Sequence, residues 1–281
     1  MNSEDIRSNR KKYIKSAIVL LIVITLLLFC NFQNKHLETT HYTYEAEQLG
    51  VDLDGYRIVQ ISDLHNAKFG KNNQKLVDRI RECAPDMIAL TGDLVDSNHT
   101  NVDRAVQFVN EIVKICPVYY VTGNHEYWLD TSEYENLMDG VASAGVIILD
   151  NQVVEISRWD AKFRLVGLDD KSLADGTLEA LLSDEKELTV VLAHEPQYFA
   201  RYAGTGVDLV LSGHAHGGQF RLPFVGGIVA PDQGFLPEYT AGEYYMNGTE
   251  MIVSRGLGNS VIPVRLFNYP EIVCVELVGM H

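Results

Sequence analysis

The sequence predicts an α/β fold in which two packed β-sheets are flanked by α-helices, with one transmembrane helix at the N-terminus. Three observations lead to this prediction. Short apolar, β-branched runs alternate with amphipathic segments, polar clusters follow several of these runs, and one long apolar run stands near the N-terminus. The 281 residues are 46% hydrophobic and 22% charged, which is the composition of a globular protein rather than of a disordered or fibrous one.

The N-terminal segment has five Lys/Arg ahead of a 17-residue run, 16–32, that is almost entirely apolar. As a helix this run would measure about 25 Å, so Tyr13 and Lys15 must extend it to cross a hydrocarbon core of about 30 Å. The excess of basic residues before it predicts a cytoplasmic tail over 1–13, a membrane anchor over 14–32 and a main domain outside the cytoplasm. A cleaved signal peptide is the alternative, although no A-x-A-like step follows the run.

The remainder of the chain is strongly acidic. Residues 33–50 are polar without a clear period and predict a linker, after which 51–281 would form one domain. Residues 36–281 have 17 Lys/Arg and 36 Asp/Glu, a net charge of −19. This balance argues against nucleic-acid binding, and an anionic substrate would need bound cations. Four cysteines without a C-x-x-C pair argue against a structural zinc site and, mildly, against an oxidising compartment.

The elements of the domain alternate between strand and helix in its first half. Buried strands are predicted over 58–61, 87–90 and 118–121. Amphipathic helices are predicted between them, over 72–83 and 102–115. The apolar residues of the second helix include Val106, Val109, Ile112 and Val113. The second half is richer in strands, predicted over 152–157, 163–166, 188–193, 207–211, 243–245, 251–254 and 271–276. Continuous apolar strands between amphipathic helices indicate sheets covered on both faces.

Five polar clusters follow these strands, at the ends where open α/β sheets bind ligands. The clusters are Asp63-Leu64-His65, Gly92-Asp93, Gly123-Asn124-His125-Glu126, His194 and Gly213-His214-Ala215-His216. Their Asp, Asn and His side chains offer the oxygen and nitrogen ligands of hard or borderline divalent cations. In extended backbone, residues two apart point the same way, so each D-x-H or H-x-H pair can reach one metal or two adjacent ones.

Each of these residues also has an ordinary structural explanation. Asp93 could cap a helix, Asn124 could belong to a turn, and His194 could start a helix. The clusters taken together favour a metal site, because five of the nine histidines fall within them and every cluster stands at a strand end.

The order D-x-H, G-D, G-N-H-E, H, G-H-x-H resembles the calcineurin-like metallophosphoesterase family. Residues 254–259 (SRGLGN) and 263–265 (PVR) further resemble its bacterial membrane-anchored phosphodiesterases. The resemblance implies two bound divalent cations, which could be Mn, Fe, Zn or Co, with Mn favoured. It implies one metal on Asp63, His65 and His216, a second on Asn124, His194 and His214, and Asp93 bridging both.

The same resemblance implies roles outside the metal ligands. His125 would act at the scissile phosphate, either as a proton donor or by stabilising charge in the transition state. Asp96 would orient it, unless Asp96 is a solvated turn carboxylate. Arg255, Asn259 and Arg265 would contact substrate, although either arginine could instead pair with an acidic group. The implied reaction is hydrolysis of a phosphodiester or pyrophosphate bond by a metal-bridging hydroxide.

The anchor indicates a membrane- or envelope-associated substrate, such as a lipid-linked nucleotide. Two alternatives stay open: a phosphomonoesterase or protein phosphatase of the same fold, and a catalytically silent membrane-tethered scaffold. The protein phosphatases of the family continue G-D-x-V-D with R-G, whereas here Ser97-Asn98 follows Asp96. A silent relic would be expected to lack ligands, and none is missing.

Overall fold

Two six-stranded sheets form the body of the protein. The computed structural model describes residues 3–46, 49–182, 187–259 and 261–279, with side chains from residue 12 onwards. The first sheet has the order β1-β16-β2-β3-β4-β5, in which only the β16–β2 pair is antiparallel. Its strands are β1 (Glu38–Ala46), β2 (Tyr56–Ile61), β3 (Met87–Thr91), β4 (Val118–Val121), β5 (Ile147–Ile148) and β16 (Glu271–Gly279).

The second sheet has the order β14-β15-β9-β8-β7-β6, with a parallel centre and an antiparallel pair at each edge. Its strands are β6 (Gln152–Arg158), β7 (Ala161–Gly167), β8 (Thr189–Leu192), β9 (Leu209–Ser212), β14 (Gly242–Met246) and β15 (Thr249–Val253). Two small hairpins stand between β9 and β14. They are β10 (Arg221–Leu222) with β11 (Gly226–Gly227), and β12 (Val229–Ala230) with β13 (Gly234–Phe235).

Helices cover the outer faces of both sheets, which confirms the predicted sandwich. The helices are α1 (Ser3–Lys35), α2 (Gln74–Glu82), α3 (Val102–Ile112), α4 (Asn124–Tyr127), α5 (Thr131–Ser143), α6 (Thr177–Leu181) and α7 (Phe199–Tyr202). Apolar side chains from α2, α3 and α5 pack on the first sheet, and those from α6 and α7 pack on the second. A third apolar layer, which includes Ile58, Phe163 and Val190, fills the space between the sheets.

The two helices predicted over 72–83 and 102–115 correspond to α2 and α3, and both observed helices are shorter than predicted. Helix α2 begins at Gln74 rather than 72 because Asn72 and Asn73 adopt left-handed backbone, with φ of 52° and 57°. The second begins where the Asn101 side chain accepts a hydrogen bond from the Arg104 N–H, and it ends at Ile112. Its buried face differs from the expected one, since Ala105 and Phe108 accompany Val109 and Ile112, whereas Val106 and Val113 are only half-buried.

A strand occupies much of the segment that the sequence predicts as a linker. Over residues 33–50, strand β1 pairs along its full length with β16, and the preceding residues complete α1. The linker prediction is therefore wrong for residues 38–46. Alternating Thr and Tyr residues favour a strand there, but the strand has few large apolar side chains because it lies at the sheet edge. The other domain bounds remain predictions.

The N-terminal helix is almost entirely apolar on every face over residues 16–30, and the side chains of this stretch lie mostly clear of the domain. Residues 12–35 are long and apolar enough to cross a membrane, with a mean hydropathy of 2.5 over an 18-residue window. Side chains such as Leu21 and Leu27 are about two-thirds exposed. By length and composition the helix fits the predicted anchor over 14–32, and a signal sequence would share these properties.

Candidate metal centre

The five polar clusters meet at one end of the sandwich. The first three follow β2, β3 and β4 of the first sheet, and the last two follow β8 and β9 of the second. Because these strands present their carboxyl ends on the same side, residues up to 153 positions apart in the sequence come into contact. The predicted ligands Asp63, His65, Asp93, Asn124, His194, His214 and His216 are all buried and all lie in this one place.

Three of the seven form a first group. The ligand atoms of Asp63, His65 and His216 lie within 4.8 Å of one another. The Nε2 atoms of His65 and His216 are 3.2 Å apart. The nearer carboxylate oxygen of Asp63 is 3.7 Å from Nε2 of His216 and 4.0 Å from Nε2 of His65. This is the set that the family resemblance assigns to one metal.

The second group lies beside the first and shares Asp93 with it. Nε2 of His194 is 3.2 Å from both the Asn124 side-chain oxygen and Nδ1 of His214. One carboxylate oxygen of Asp93 lies 3.3 Å from Nε2 of His194 and 3.4 Å from Nε2 of His65. A single oxygen atom therefore faces one histidine of each group, as a bridging ligand must.

The backbone at the ligands is not extended. Five of the seven predicted ligands, namely Asp63, His65, Asp93, His214 and His216, have φ between 43° and 62°. The prediction that these pairs lie on extended backbone is therefore wrong, although the paired side chains do converge. Tight turns produce the convergence, since the N–H of Asp63 donates to Gly92 and that of His65 donates to Asp93. Left-handed non-glycine backbone costs about 1–3 kcal/mol per residue, and such strain is typical of functional sites.

The glycines in the clusters provide space more than flexibility. Of Gly92, Gly123 and Gly213, only Gly92 has a positive φ, at 89°. A Cβ on Gly123 would overlap the Asp93 carboxylate, and one on Gly213 would overlap Ser62 and crowd Asp63. The loops can pack against the ligand side chains only because these positions carry no side chain.

Burial and neighbouring charges shift the pKa values of four ligand side chains. Burial lowers the pKa of His216 to about 4 and that of His65 well below its usual value, so both rings are neutral at pH 7. Burial alone would raise the pKa of Asp93 and lower that of His194. Their mutual attraction prevails and reverses both shifts, so that Asp93 is ionised.

The donor set fits divalent metals. Histidine ring nitrogens and carboxylate oxygens converge at 3.2–4.0 Å, and all the side chains in these contacts are His or Asp. In two of the rings, the nitrogen that faces away from the metal centre also has a partner. Nδ1 of His194 contacts the Thr91 carbonyl at 2.7 Å, and Nε2 of His214 contacts the Asp232 carboxylate at 3.0 Å. Such outer contacts orient metal-binding histidines and fix their tautomers. Metals of the Mn, Fe, Zn and Co type suit these ligands.

His125 stands at the edge of this centre. Its ring centroid is 4.5 Å from that of His65 and 4.8 Å from that of Trp128. The backbone N–H of Ser97 donates to its Nδ1 at 3.1 Å, so the neutral ring is protonated at Nε2. The predicted orienting carboxylate of Asp96 is 3.6 Å from Nδ1, which is beyond hydrogen-bond distance.

Glu126 is a site residue for which the sequence analysis proposed no role. Its buried carboxylate accepts backbone N–H bonds of 2.7–2.8 Å from Gly123, Asp93 and Leu94, and a longer one from Val95. Burial and the Asp93 charge raise the pKa of Glu126 to about 8, although the N–H donors favour its ionised form. Glu126 ties the loop that carries Asn124 to the loop that carries Asp93. Its place in the G-N-H-E cluster was the only sequence signal.

The three predicted substrate contacts have structural partners. The Arg265 guanidinium is fully buried and donates to the carbonyls of Arg255 and Gly258 and to the Asn259 side chain. The Arg255 guanidinium pairs with Glu38 and Glu271 at 2.8 Å each. Arg255 thus shows the acidic pairing left open for the arginines, whereas Arg265 binds carbonyls and an amide oxygen instead. The same segment contacts the first group through its backbone, since the N–H of Gly258 donates to the Asp63 carbonyl.

Comparisons with known proteins test the family resemblance of the five clusters. A family model for the calcineurin-like phosphoesterases matches residues 56–218, which include all five clusters. The chain belongs to this family. It is 32% identical over 253 residues to the metallophosphoesterase YkuE of Bacillus subtilis (strain 168), covering 86% of this chain and 85% of that protein. It is 31% identical over 228 residues to the phosphodiesterase YaeI of Escherichia coli (strain K12), covering 79% and 82%.

A third relative adds a membrane protein to the comparison. The chain is 28% identical over 257 residues to a transmembrane protein with a metallophosphoesterase domain from Danio rerio, covering 83% of this chain and 55% of that protein. The family match, the relatives and the His/Asp clusters together make this chain a metal-dependent phosphoesterase.

Proposed function

We propose that the protein hydrolyses phosphodiester or pyrophosphate bonds with two divalent cations held by the seven clustered ligands. The observation that carries this proposal is the Asp93 oxygen that lies 3.4 Å and 3.3 Å from the Nε2 atoms of His65 and His194, one in each group. Asp63, His65 and His216 would hold one cation. Asn124, His194 and His214 would hold the other.

Two cations so placed would neutralise the acidic pocket, polarise a phosphoryl group and lower the pKa of bound water. We favour manganese among Mn, Fe, Zn and Co. The net charge of −19 outside the N-terminal segment makes this neutralisation necessary for an anionic substrate to approach.

His125 would donate a proton to the leaving oxygen or stabilise the charge that develops on it. With the Ser97 N–H on Nδ1, the Nε2–H of the neutral ring can donate a hydrogen bond to the leaving oxygen. Full proton transfer would require a ring protonated at both nitrogens, and the carboxylate of Asp96, 3.6 Å from Nδ1, would stabilise that cation. Both loops are fixed by the carboxylate of Glu126, which keeps the proton donor in register with the bridging ligand Asp93.

A phosphodiester is favoured over a monoester by the 31% identity to the phosphodiesterase YaeI. The apolar N-terminal helix favours a substrate in or near a membrane, such as a lipid-linked nucleotide. Five Lys/Arg precede the apolar run, and this asymmetry favours a cytoplasmic N-terminus and an extracytoplasmic catalytic domain.

The test uses the full chain purified in detergent and loaded with Mn²⁺. We expect it to hydrolyse bis(p-nitrophenyl) phosphate faster than p-nitrophenyl phosphate, and EDTA to abolish both activities. A chain that prefers the monoester would support the phosphomonoesterase alternative. A chain that hydrolyses neither ester with Mn, Fe, Zn or Co would support the scaffold alternative.

Two substitutions separate ligand from proton donor. Asp93→Asn should lose activity together with bound metal, since it removes the charge shared by both groups. His125→Ala should lower kcat by about 10²–10⁴-fold while both metals stay bound. Loss of metal from the His125→Ala chain, measured by mass spectrometry of the metals, would show that its role is structural.

A further inference from the structure

The end of the N-terminal helix is built into the domain rather than joined by a flexible tether. The side-chain oxygens of Gln33 and Asn34 accept the backbone N–H groups of Phe267 and Arg265, each at 2.9 Å. Gln33 is fully buried. The ring of Phe29, one turn earlier, packs edge-on against Phe267 at 6.2 Å. The direction of α1 is therefore fixed relative to the segment 261–269.

This attachment lies at the same end of the sandwich as the metal centre. Strand β16 begins directly after the segment that holds α1, and its first residues pair antiparallel with the last residues of β2. The cluster with Asp63 and His65 follows that end of β2. A membrane crossed by α1 would thus lie on the side of the metal centre, and the β6–β7 turn with Trp159 would lie at the opposite end.

Exposed apolar side chains surround the attachment. Val261 is 85% exposed, and Phe224, at the tip of the β10–β11 hairpin, is fully exposed. The hairpin is bound to the attachment segment, since the Arg221 N–H donates to the Leu266 carbonyl at 2.9 Å. We call the exposed apolar residues of this region the anchor-side surface; they are Leu222, Phe224, Val225, Val261, Ile262 and Phe267. Grouped exposed side chains of this size mark interaction sites in soluble domains.

Exposed basic residues lie beside this surface, within a domain of net charge −19. The loop 64–77 has three exposed lysines, Lys68, Lys71 and Lys75, and no Asp/Glu. Arg255 and Arg265 do not add to this exposed charge, since the first pairs with Glu38 and Glu271 and the second is buried. The loop 64–77 touches the helix end directly, because Lys35 donates to the Lys68 carbonyl at 2.9 Å. Basic residues beside apolar ones are the combination that binds an anionic membrane surface.

An apolar pocket connects this surface with the metal centre. It has a volume of about 200 Å³ and is lined by Val229, Ala230, Pro231, Val261 and Ile262, with the proposed ligand His216 at its wall. Two of the lining residues thus belong to the anchor-side surface. The pocket has room for a short stretch of hydrocarbon next to a phosphate held at the metals.

We propose that the anchor-side surface rests in the interface of the membrane crossed by α1, and that the adjoining pocket takes the hydrocarbon part of a lipid phosphodiester from it. The second half of this inference rests on the proposed function. The membrane is the one occupant that accounts for the apolar side chains, the local basic charge and the fixed helix together. A lipid substrate could then reach His216 without leaving the bilayer.

Fluorescence in vesicles tests the position of the surface. Two full-length chains are reconstituted in vesicles containing phosphatidylglycerol, each with Trp128→Phe. One keeps Trp159, which is 82% exposed at the far end of the sandwich. The other has Trp159→Phe and Phe224→Trp. We expect brominated lipid to quench the Phe224→Trp chain at least about twofold and to leave the Trp159 chain unchanged. Equal quenching of the two chains would overturn the proposal.

Activity tests the substrate route separately. In the same vesicles, Phe224→Ser with Val225→Ser should lower turnover of a diacylglycerol p-nitrophenyl phosphodiester at least about fivefold. Turnover of water-soluble bis(p-nitrophenyl) phosphate should not change, because neither residue lines the pocket. Unchanged turnover of the lipid ester would contradict the substrate route. A chain that hydrolyses neither ester would refute the proposed function, while the fluorescence result would still decide where the surface lies.

Discussion

Replacing Glu126 with glutamine tests how the loops of the metal centre are held together. In the wild-type chain one carboxylate oxygen accepts the N–H groups of Asp93 and Gly123 at 2.8 Å and 2.7 Å. The other accepts the N–H of Leu94 at 2.8 Å. Glu126→Gln keeps the shape and one oxygen, but it turns an amide N–H₂ toward buried N–H donors that then lack an acceptor.

The cost follows from the number of bonds lost. A buried donor without an acceptor costs about 1–3 kcal/mol, so the loss of two bonds destabilises the fold by about 2–6 kcal/mol. This is a large part of a typical folding stability of about 5–15 kcal/mol. At about 2–4 °C per kcal/mol, the melting temperature should fall by roughly 5–20 °C. Because the Asp93 loop loosens, the affinity for Mn²⁺ should also fall by about 10–100-fold.

Thermal unfolding of the full chain in detergent and Mn²⁺ titration measure the two effects. Glu135→Gln, an exposed position on α5, is the matched control because it makes the same chemical change without buried donors. A Glu126→Gln chain that melts within about 2 °C of this control and binds Mn²⁺ equally well would show that the Glu126 carboxylate does not hold the two loops together.

The remaining substitutions test space, charge and proton transfer. Gly213→Ala should abolish metal binding, because its new Cβ would overlap Ser62 and Asp63. Gly204→Ala is the control, since no described atom lies within 4 Å of its new Cβ, and it should bind metal as the wild-type chain does. Burial raises the pKa of Glu250 to about 7, so its ionisation destabilises the fold as pH rises from about 4.5 to 7. In denaturant titrations Glu250→Gln should therefore raise the unfolding free energy by about 1–2 kcal/mol at pH 8. At pH 4 the same substitution should leave the unfolding free energy unchanged. Asp96→Asn should lower kcat about tenfold with KM and bound metal unchanged, if its charge acts through His125.

The sequence predicted the sandwich and the meeting of the clusters because both depend on strong local patterns. Buried strands such as β3 and β9 are continuous apolar runs, and a polar cluster follows each. Edge strand β1 was not predicted because it has few large apolar side chains and its partner, β16, comes from the far end of the chain. Pairing over such a distance leaves no local signal.

The fine structure of the site was harder to predict. Left-handed backbone at Asp63 and His214 depends on the neighbouring loop, and no residue type reports it reliably. The carboxylate of Glu126 binds backbone N–H groups, which every residue has, so its partners cannot be read from side chains. For Arg265 the residue type alone allows several partners. A guanidinium can donate to phosphate or to peptide carbonyls, and only the fold shows that it donates to two carbonyls and to Asn259.

Electron paramagnetic resonance of the Mn²⁺-loaded full chain tests whether one carboxylate joins two metal ions into a single centre. We expect two Mn²⁺ per chain with the spectrum of a spin-coupled pair, because the Asp93 oxygen faces both groups at 3.3–3.4 Å. The coupling should disappear in the Asp93→Asn chain. A single Mn²⁺ per chain, or two ions with separate uncoupled spectra, would show that Asp93 does not bridge two metals.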